Sequence, residues 1–170
     1  MRRVTVVGCA FAAALSFVAC GADEPARTAG TASESSALRD GGVAAFEREL
    51  VRLRGRPVVV NQWASWCGPC RAEFPFFTRL ADGYRGRVAF LGVNSRDSRT
   101  DAEKFLARYP TRFPHFSDPD ARVARIFRGG RAWPTTAFYT ADGELNFTHQ
   151  GQYRTQDDLE RDIRRYALDG

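Results

Sequence analysis

Lysine is almost missing from this chain: Lys104 stands alone, and arginine supplies the rest of the 25 basic residues that face 20 acidic ones. The net charge of +5 is spread along the chain without a long basic run, which argues against a nucleic-acid footprint. Histidine is scarce as well. His115 and His149 stand apart, and two of the four cysteines, Cys9 and Cys20, lie near the N-terminus. Four convergent ligands for a structural zinc are therefore hard to assemble, and no metal or cofactor is expected. Long apolar runs are missing too, since residues 4–19 give only sixteen apolar or small positions, too few for a comfortable membrane span. At 170 residues the chain suits one domain with extensions rather than two domains, and it carries no internal repeat.

The run Trp63-Ala64-Ser65-Trp66-Cys67-Gly68-Pro69-Cys70 carries the chemistry. It places a C-x-x-C pair directly after the apolar strand pattern Val58-Val59-Val60 and directly before a plausible helix. Two cysteines at a helix start can close a small disulfide and pass electron pairs to other thiols. A purely structural disulfide is disfavoured, because closing so short a loop gains little entropy.

The N-terminus reads as an export signal over residues 1–19, with Arg2-Arg3 as its basic end and residues 4–19 as its apolar stretch. Its last residues, Phe17-Val18-Ala19-Cys20, resemble a bacterial lipobox, which implies lipidation at Cys20 and a protein anchored to the outer face of the cell membrane. Secretion without an anchor is the alternative. Residues 20–38, poor in bulky apolar side chains, are expected to form a disordered tether, and residues 39–170 the folded domain.

Within that domain, apolar spacing predicts a helix over 42–54 and a strand over 58–63 that is apolar nearly throughout and hence central. A helix from the cysteines to about residue 82, a strand over 88–93 and a helix over 101–109 follow. A short helix over 120–128 should bury Val123, Ile126 and Phe127. A hairpin of strands over 135–140 and 144–150 turns at Ala141-Asp142-Gly143, and Thr155 caps a last helix. This order predicts a thioredoxin-like three-layer α/β/α sandwich with a mixed central sheet.

Residues 58–75 closely resemble the TlpA-like disulfide reductases, extracytoplasmic members of the thioredoxin superfamily, through Cys67, Cys70, Arg71, Glu73 and Pro75. Gly92-Val93-Asn94, Phe113-Pro114 with Asp118, Pro134-Thr135-Thr136 and Asp142-Gly143-Glu144 extend the match over about residues 45–168. The resemblance implies a cis proline at Pro134 lying against the dithiol, with Trp133 and Trp66 as apolar platforms and Gly68 and Pro69 beside the bound substrate. Gln62 departs from the family, which usually has phenylalanine there, and its buried amide needs a partner.

Cys67, ahead of a helix whose N–H groups and dipole favour a thiolate, is the expected nucleophile, and Cys70 the resolving cysteine. Asn61 stands where classical thioredoxins carry a buried aspartate and cannot accept a proton. Glu73, three residues after Cys70, is the substitute proton acceptor, although a solvated first-turn carboxylate would look the same in sequence. The expected partners are thiols or disulfides of exported proteins and a membrane electron donor or acceptor. A reductase, for example in cytochrome c maturation, is favoured on family resemblance. A disulfide-forming oxidase is the alternative, and a copper-binding chaperone is disfavoured by the C-G-P-C spacing.

Overall fold

Strand β2, Val58–Trp63, is buried at every position, because helices cover both faces of the sheet to which it is central. The computed structural model describes residues 37–169. The remaining elements are β1 (Leu38–Arg39), α1 (Gly42–Arg52), α2 (Gly68–Gly83), β3 (Ala89–Ser95), α3 (Arg99–Arg108) and β4 (His115–Asp118). They continue with α4 (Arg122–Ile126), β5 (Thr135–Tyr139), β6 (Leu145–Gln150) and α5 (Gln156–Asp162), whose last stretch widens into a π-turn over Ile163–Leu168. The sheet order is β1-β4-β3-β2-β5-β6. Strands β1, β4, β3 and β2 run parallel to one another, whereas β5 is antiparallel to both β2 and β6. This is the expected thioredoxin-like sandwich with a mixed sheet.

The pleat divides the core. Val58 and Val60 pack with Phe46, Leu91, Val93, Phe116 and Phe127 on one face, whereas Val59 packs with Phe77, Leu80, Phe138, Leu159 and Ile163 on the other. A third cluster around Trp63, Phe74 and Phe105 also contains both cysteines of the C-x-x-C pair. Hydroxyl caps start α3 and α5: Ser98 Oγ accepts from the Asp101 N–H at 3.1 Å, and Thr155 Oγ1 from the Asp158 N–H at 3.2 Å.

Three details differ from the sequence reading. Leu38, placed at the end of the tether, belongs to the fold and pairs with His115 in the sheet. Strand β4 was not foreseen, because four residues flanked by Pro114 and Pro119 show no period of their own. Ile126 is 37 % exposed, and Ala124 takes its expected place in the core beside Val123 and Phe127.

His115 explains the need for Gly92. The two residues pair in register, and a Cβ added to Gly92 would overlap the imidazole. Trp63 Nε1 donates to His115 Nδ1 at 3.0 Å, and Thr111 Oγ1, 2.8 Å from Nε2, donates to the Phe113 carbonyl at 3.0 Å. The chain of donors leaves His115 neutral with its proton on Nε2. Burial pushes its pKa down to about 3. Gly92→Ala is therefore expected to destabilise the fold by about 3 kcal/mol or more, since the backbone and a clamped ring cannot both yield. Urea unfolding measures this, and an unchanged midpoint would refute it.

Candidate active site

Cys67 closes the loop leaving β2 and caps α2. Its Sγ accepts a hydrogen bond from the Cys70 N–H at 3.1 Å, and Cys67 and Cys70 are joined in a disulfide with Cα atoms 5.3 Å apart. Gly68 and Pro69 form the first turn of α2, where proline sacrifices no helical hydrogen bond. Cys67 retains 3 % exposure and Cys70 none, so an approaching thiol meets Cys67 first. When the disulfide opens, the same N–H and the helix dipole point at the Cys67 sulfur and favour its thiolate.

Glu73 lies one turn further along α2 and is wholly buried, not solvated. Its Oε1 accepts from Asn61 Nδ2 and its Oε2 from the Tyr153 N–H, both at 2.9 Å. Burial pushes its pKa up to about 8, against the pull of these two hydrogen bonds. The carboxyl is thus largely neutral at pH 7, where the sequence alone suggested a standing negative charge.

Trp66 is 55 % exposed, with Trp133 tilted against it at 5.4 Å between ring centres. Trp133 packs on the cluster that holds the two cysteines, and the Trp133–Pro134 peptide is cis. The structure therefore brings Cys67, Cys70, Trp66 and Trp133 together, while Glu73 sits behind them in the core. Arg71 is exposed and turns back to donate to the Ser65 carbonyl at 3.2 Å. Cys20 lies outside the described residues.

Sequence reasoning missed Asp97. Its carboxylate accepts from the Ser65 N–H at 2.6 Å, Ser65 Oγ at 2.7 Å, Asn94 Nδ2 at 2.8 Å and the Ser98 N–H at 2.9 Å. Next to it, the Arg96 carbonyl accepts from Trp66 Nε1 at 2.8 Å. The β3–α3 loop thereby fixes the segment that leads into Cys67. No local signal marks a loop aspartate as the partner of a serine 32 residues earlier.

Gln62 also finds its partner. Its Oε1 accepts from the Gly130 N–H at 2.9 Å, and a side chain at Gly129 would collide with that oxygen. Among the described residues no three His, Cys, Asp or Glu side chains gather into a metal-binding cluster, and no helix is long and apolar enough to cross a membrane.

Residues 37–148 match the model of the AhpC/TSA family. Thiol-disulfide oxidoreductase ResA of Geobacillus kaustophilus is 32 % identical over 69 % of this chain and 67 % of its own length. Thiol:disulfide interchange protein DsbE of Pseudomonas fluorescens is 34 % identical over 58 % of this chain and 54 % of its own length. The crystal structure of a thiol:disulfide interchange protein DsbE from Chlorobium tepidum superimposes with a TM-score of 0.61 at 32 % identity, covering 67 % of this chain and 82 % of that one. Fold, C-x-x-C disulfide and relatives agree, and the chain belongs to the AhpC/TSA family of thioredoxin-fold proteins, with its place there among the thiol-disulfide oxidoreductases.

Proposed function

We propose that this protein is an extracytoplasmic disulfide reductase that returns oxidised cysteines of exported proteins to thiols, as in haem attachment to apocytochromes c. The observation that carries the exchange chemistry is the Cys67–Cys70 disulfide with Cys67 at the helix N-terminus and Cys70 sealed behind it. In the reduced enzyme the Cys67 thiolate attacks a substrate disulfide. One Cys67–substrate bond forms, the substrate bond breaks, and the first substrate sulfur leaves as a thiolate. Cys70 then loses its proton and attacks the Cys67 sulfur, releasing the second substrate thiolate and closing Cys67–Cys70. A membrane electron donor supplies the two electrons that restore the dithiol.

Glu73 is the proton acceptor for Cys70 in this reading, acting through the ionised fraction that a pKa of about 8 leaves near neutral pH. A carboxyl raised to about 8 lies close to the ordinary thiol range, so a proton exchanges between them with little driving force lost in either direction. Trp66, Gly68, Pro69, Trp133 and Pro134 would flank the bound peptide. Export through residues 1–19, with Cys20 as a lipid anchor, completes the proposal for its location outside the cytoplasm.

Direction is tested by equilibrating the purified domain with glutathione redox buffers. The expected potential lies closer to about −270 mV than to about −120 mV, because among the described residues no cation is hydrogen-bonded to the Cys67 sulfur to stabilise its thiolate beyond what the helix supplies. A value near the upper figure would overturn the reductase reading in favour of disulfide formation. Glu73→Gln is expected to shift the potential little at pH 7, where the carboxyl is already neutral, and to raise it increasingly above pH 8.

A further inference from the structure

A polypeptide joined to Cys67 through a mixed disulfide lies against the surface around Trp66, whose ring stands exposed one residue before that cysteine. Between Trp66 and α3 this surface opens into a cleft of about 300 Å³. Arg71 lines it from α2, Lys104 and Arg108 from α3, and Tyr109 from the end of that helix. The walls are thus aromatic at Trp66 and Tyr109 and cationic at three positions.

These cations lack matching acids. Arg71 donates to the Ser65 carbonyl, and Arg108 rests over the Tyr109 ring at 5.7 Å. Among the described residues neither forms an ion pair, whereas Arg52, Arg85, Arg161 and Arg164 each hold a carboxylate within 3.0 Å. Lys104 lies 3.4 Å from Asp101 Oδ1, and the other oxygen of Asp101 accepts from Ser98 Oγ at 2.7 Å. Asp97, behind Ser65, has both oxygens engaged by four donors. Arg96, exposed beside Asp97, adds a cation on the loop that holds the Trp66 indole. Arg71, Arg96, Lys104 and Arg108 therefore stand against two carboxylates, Asp97 and Asp101, that already have partners.

We infer that this cleft seats an acidic side chain of the substrate, an aspartate or glutamate a few residues from the cysteine bound to Cys67. The inference rests on exchange through Cys67 and names the substrate class: exported proteins whose reactive cysteine has acidic neighbours. An extended chain advances about 3.3 Å per residue, so a residue two to four positions from that cysteine covers about 7–13 Å, enough to pass Trp66. Its carboxylate then meets Lys104 and Arg108, which stand one helical turn apart on α3, while its stem lies against the Trp66 and Tyr109 rings. Lys104 and Arg108 bind and orient the substrate and take no part in the exchange of sulfurs. Because the cleft is open to solvent, its selectivity is electrostatic and falls with salt.

The test is a single turnover of the reduced protein with three peptides, each carrying one cysteine as a mixed disulfide with pyridinethiol. The peptides differ only in having glutamate, glutamine or lysine at the second to fourth positions on either side of that cysteine. Cys67 bonds to the peptide sulfur, pyridinethione leaves and is read by its absorbance, and Cys70 then releases the peptide thiol. At low ionic strength the glutamate peptide is expected to react about three- to tenfold faster than the glutamine peptide, with the lysine peptide slowest. At about 1 M salt the ratio is expected to approach one. Lys104→Gln/Arg108→Gln is expected to bring the ratio close to one even at low salt. Arg48→Gln/Arg54→Gln, which removes the same charge from α1 and the turn beside Gly143, is expected to keep it. All four residues are exposed, so the fold does not depend on them. Equal rates for the glutamate and glutamine peptides, a lysine preference, a ratio that survives Lys104→Gln/Arg108→Gln, or one lost equally in the α1 variant would overturn the cleft. No pyridinethione from any peptide would instead overturn exchange through Cys67, so the two failures are distinguishable.

Discussion

Cys67→Ser is expected to abolish disulfide exchange, by about a thousandfold or more, while Cys70→Ser still attacks substrate and becomes trapped on it. The two sulfurs differ in what surrounds them. Cys67 caps α2 and retains some exposure, and its Sγ already faces the Cys70 N–H, so a thiolate there needs no rearrangement to be stabilised. Cys70 is fully enclosed, and an external disulfide cannot line up with its sulfur. Without Cys70 the mixed disulfide through Cys67 has no internal attacker and persists until an outside thiol cleaves it. Mass spectrometry of Cys70→Ser after exposure to a disulfide peptide should show the adduct mass on Cys67. An adduct confined to the Cys67→Ser protein would reverse the roles.

The second large effect is on stability. Glu73 ionises near its ordinary 4.5 in the unfolded chain but at about 8 in the folded one. Between those values the folded state holds the extra proton, so stability falls as pH rises, by about 1.4 kcal/mol per pH unit and up to about 5 kcal/mol in all. Below pH 4.5 both states are protonated and the loss disappears. His115 works in the opposite sense: its pKa drops from 6.5 to about 3 on folding, so stability is lost as pH falls through that window. The wild-type curve should therefore rise to about pH 4.5, stay level to about 6.5, where the two slopes cancel, and fall toward 8.

Glu73→Gln removes one slope only. Its amide can accept from the Tyr153 N–H and donate to Asn61 Oδ1 once the Asn61 amide turns over, so the site stays satisfied. The variant should gain on wild type steadily from pH 5 to about 8, and level off above that, in urea unfolding of the oxidised proteins. Parallel curves for the two proteins would contradict a raised Glu73.

Local features of this protein were legible in its residues. The C-x-x-C pair between an apolar strand and a helix, the Thr155 cap and the hairpin at Gly143 depend on neighbours within a turn or a pleat, and each stands where the residues indicated. The spacing of Glu73 after Cys70 was visible in the same way, but its protonation was not. That follows from burial under elements the chain supplies much later, with Tyr153 donating from 80 residues away. Ile126 misled because a helix of five residues, Arg122–Ile126, defines its buried face too weakly for periodicity to choose between adjacent apolar positions.

The sequence by itself determined the redox pair, the layer architecture and the order of the helices and of every strand except β1 and β4, because these rest on short-range spacing and on which strands are apolar throughout. Only the tertiary structure decided how Asp97 holds Ser65, how Gly92 makes room for His115, where Gln62 finds its donor and which groups hold Glu73. Each of these joins groups far apart in the chain. A hydrogen bond or an ionisation state depends on the distance between atoms and on the exclusion of water, and both are set only when the sheet has assembled and the helices have closed over it.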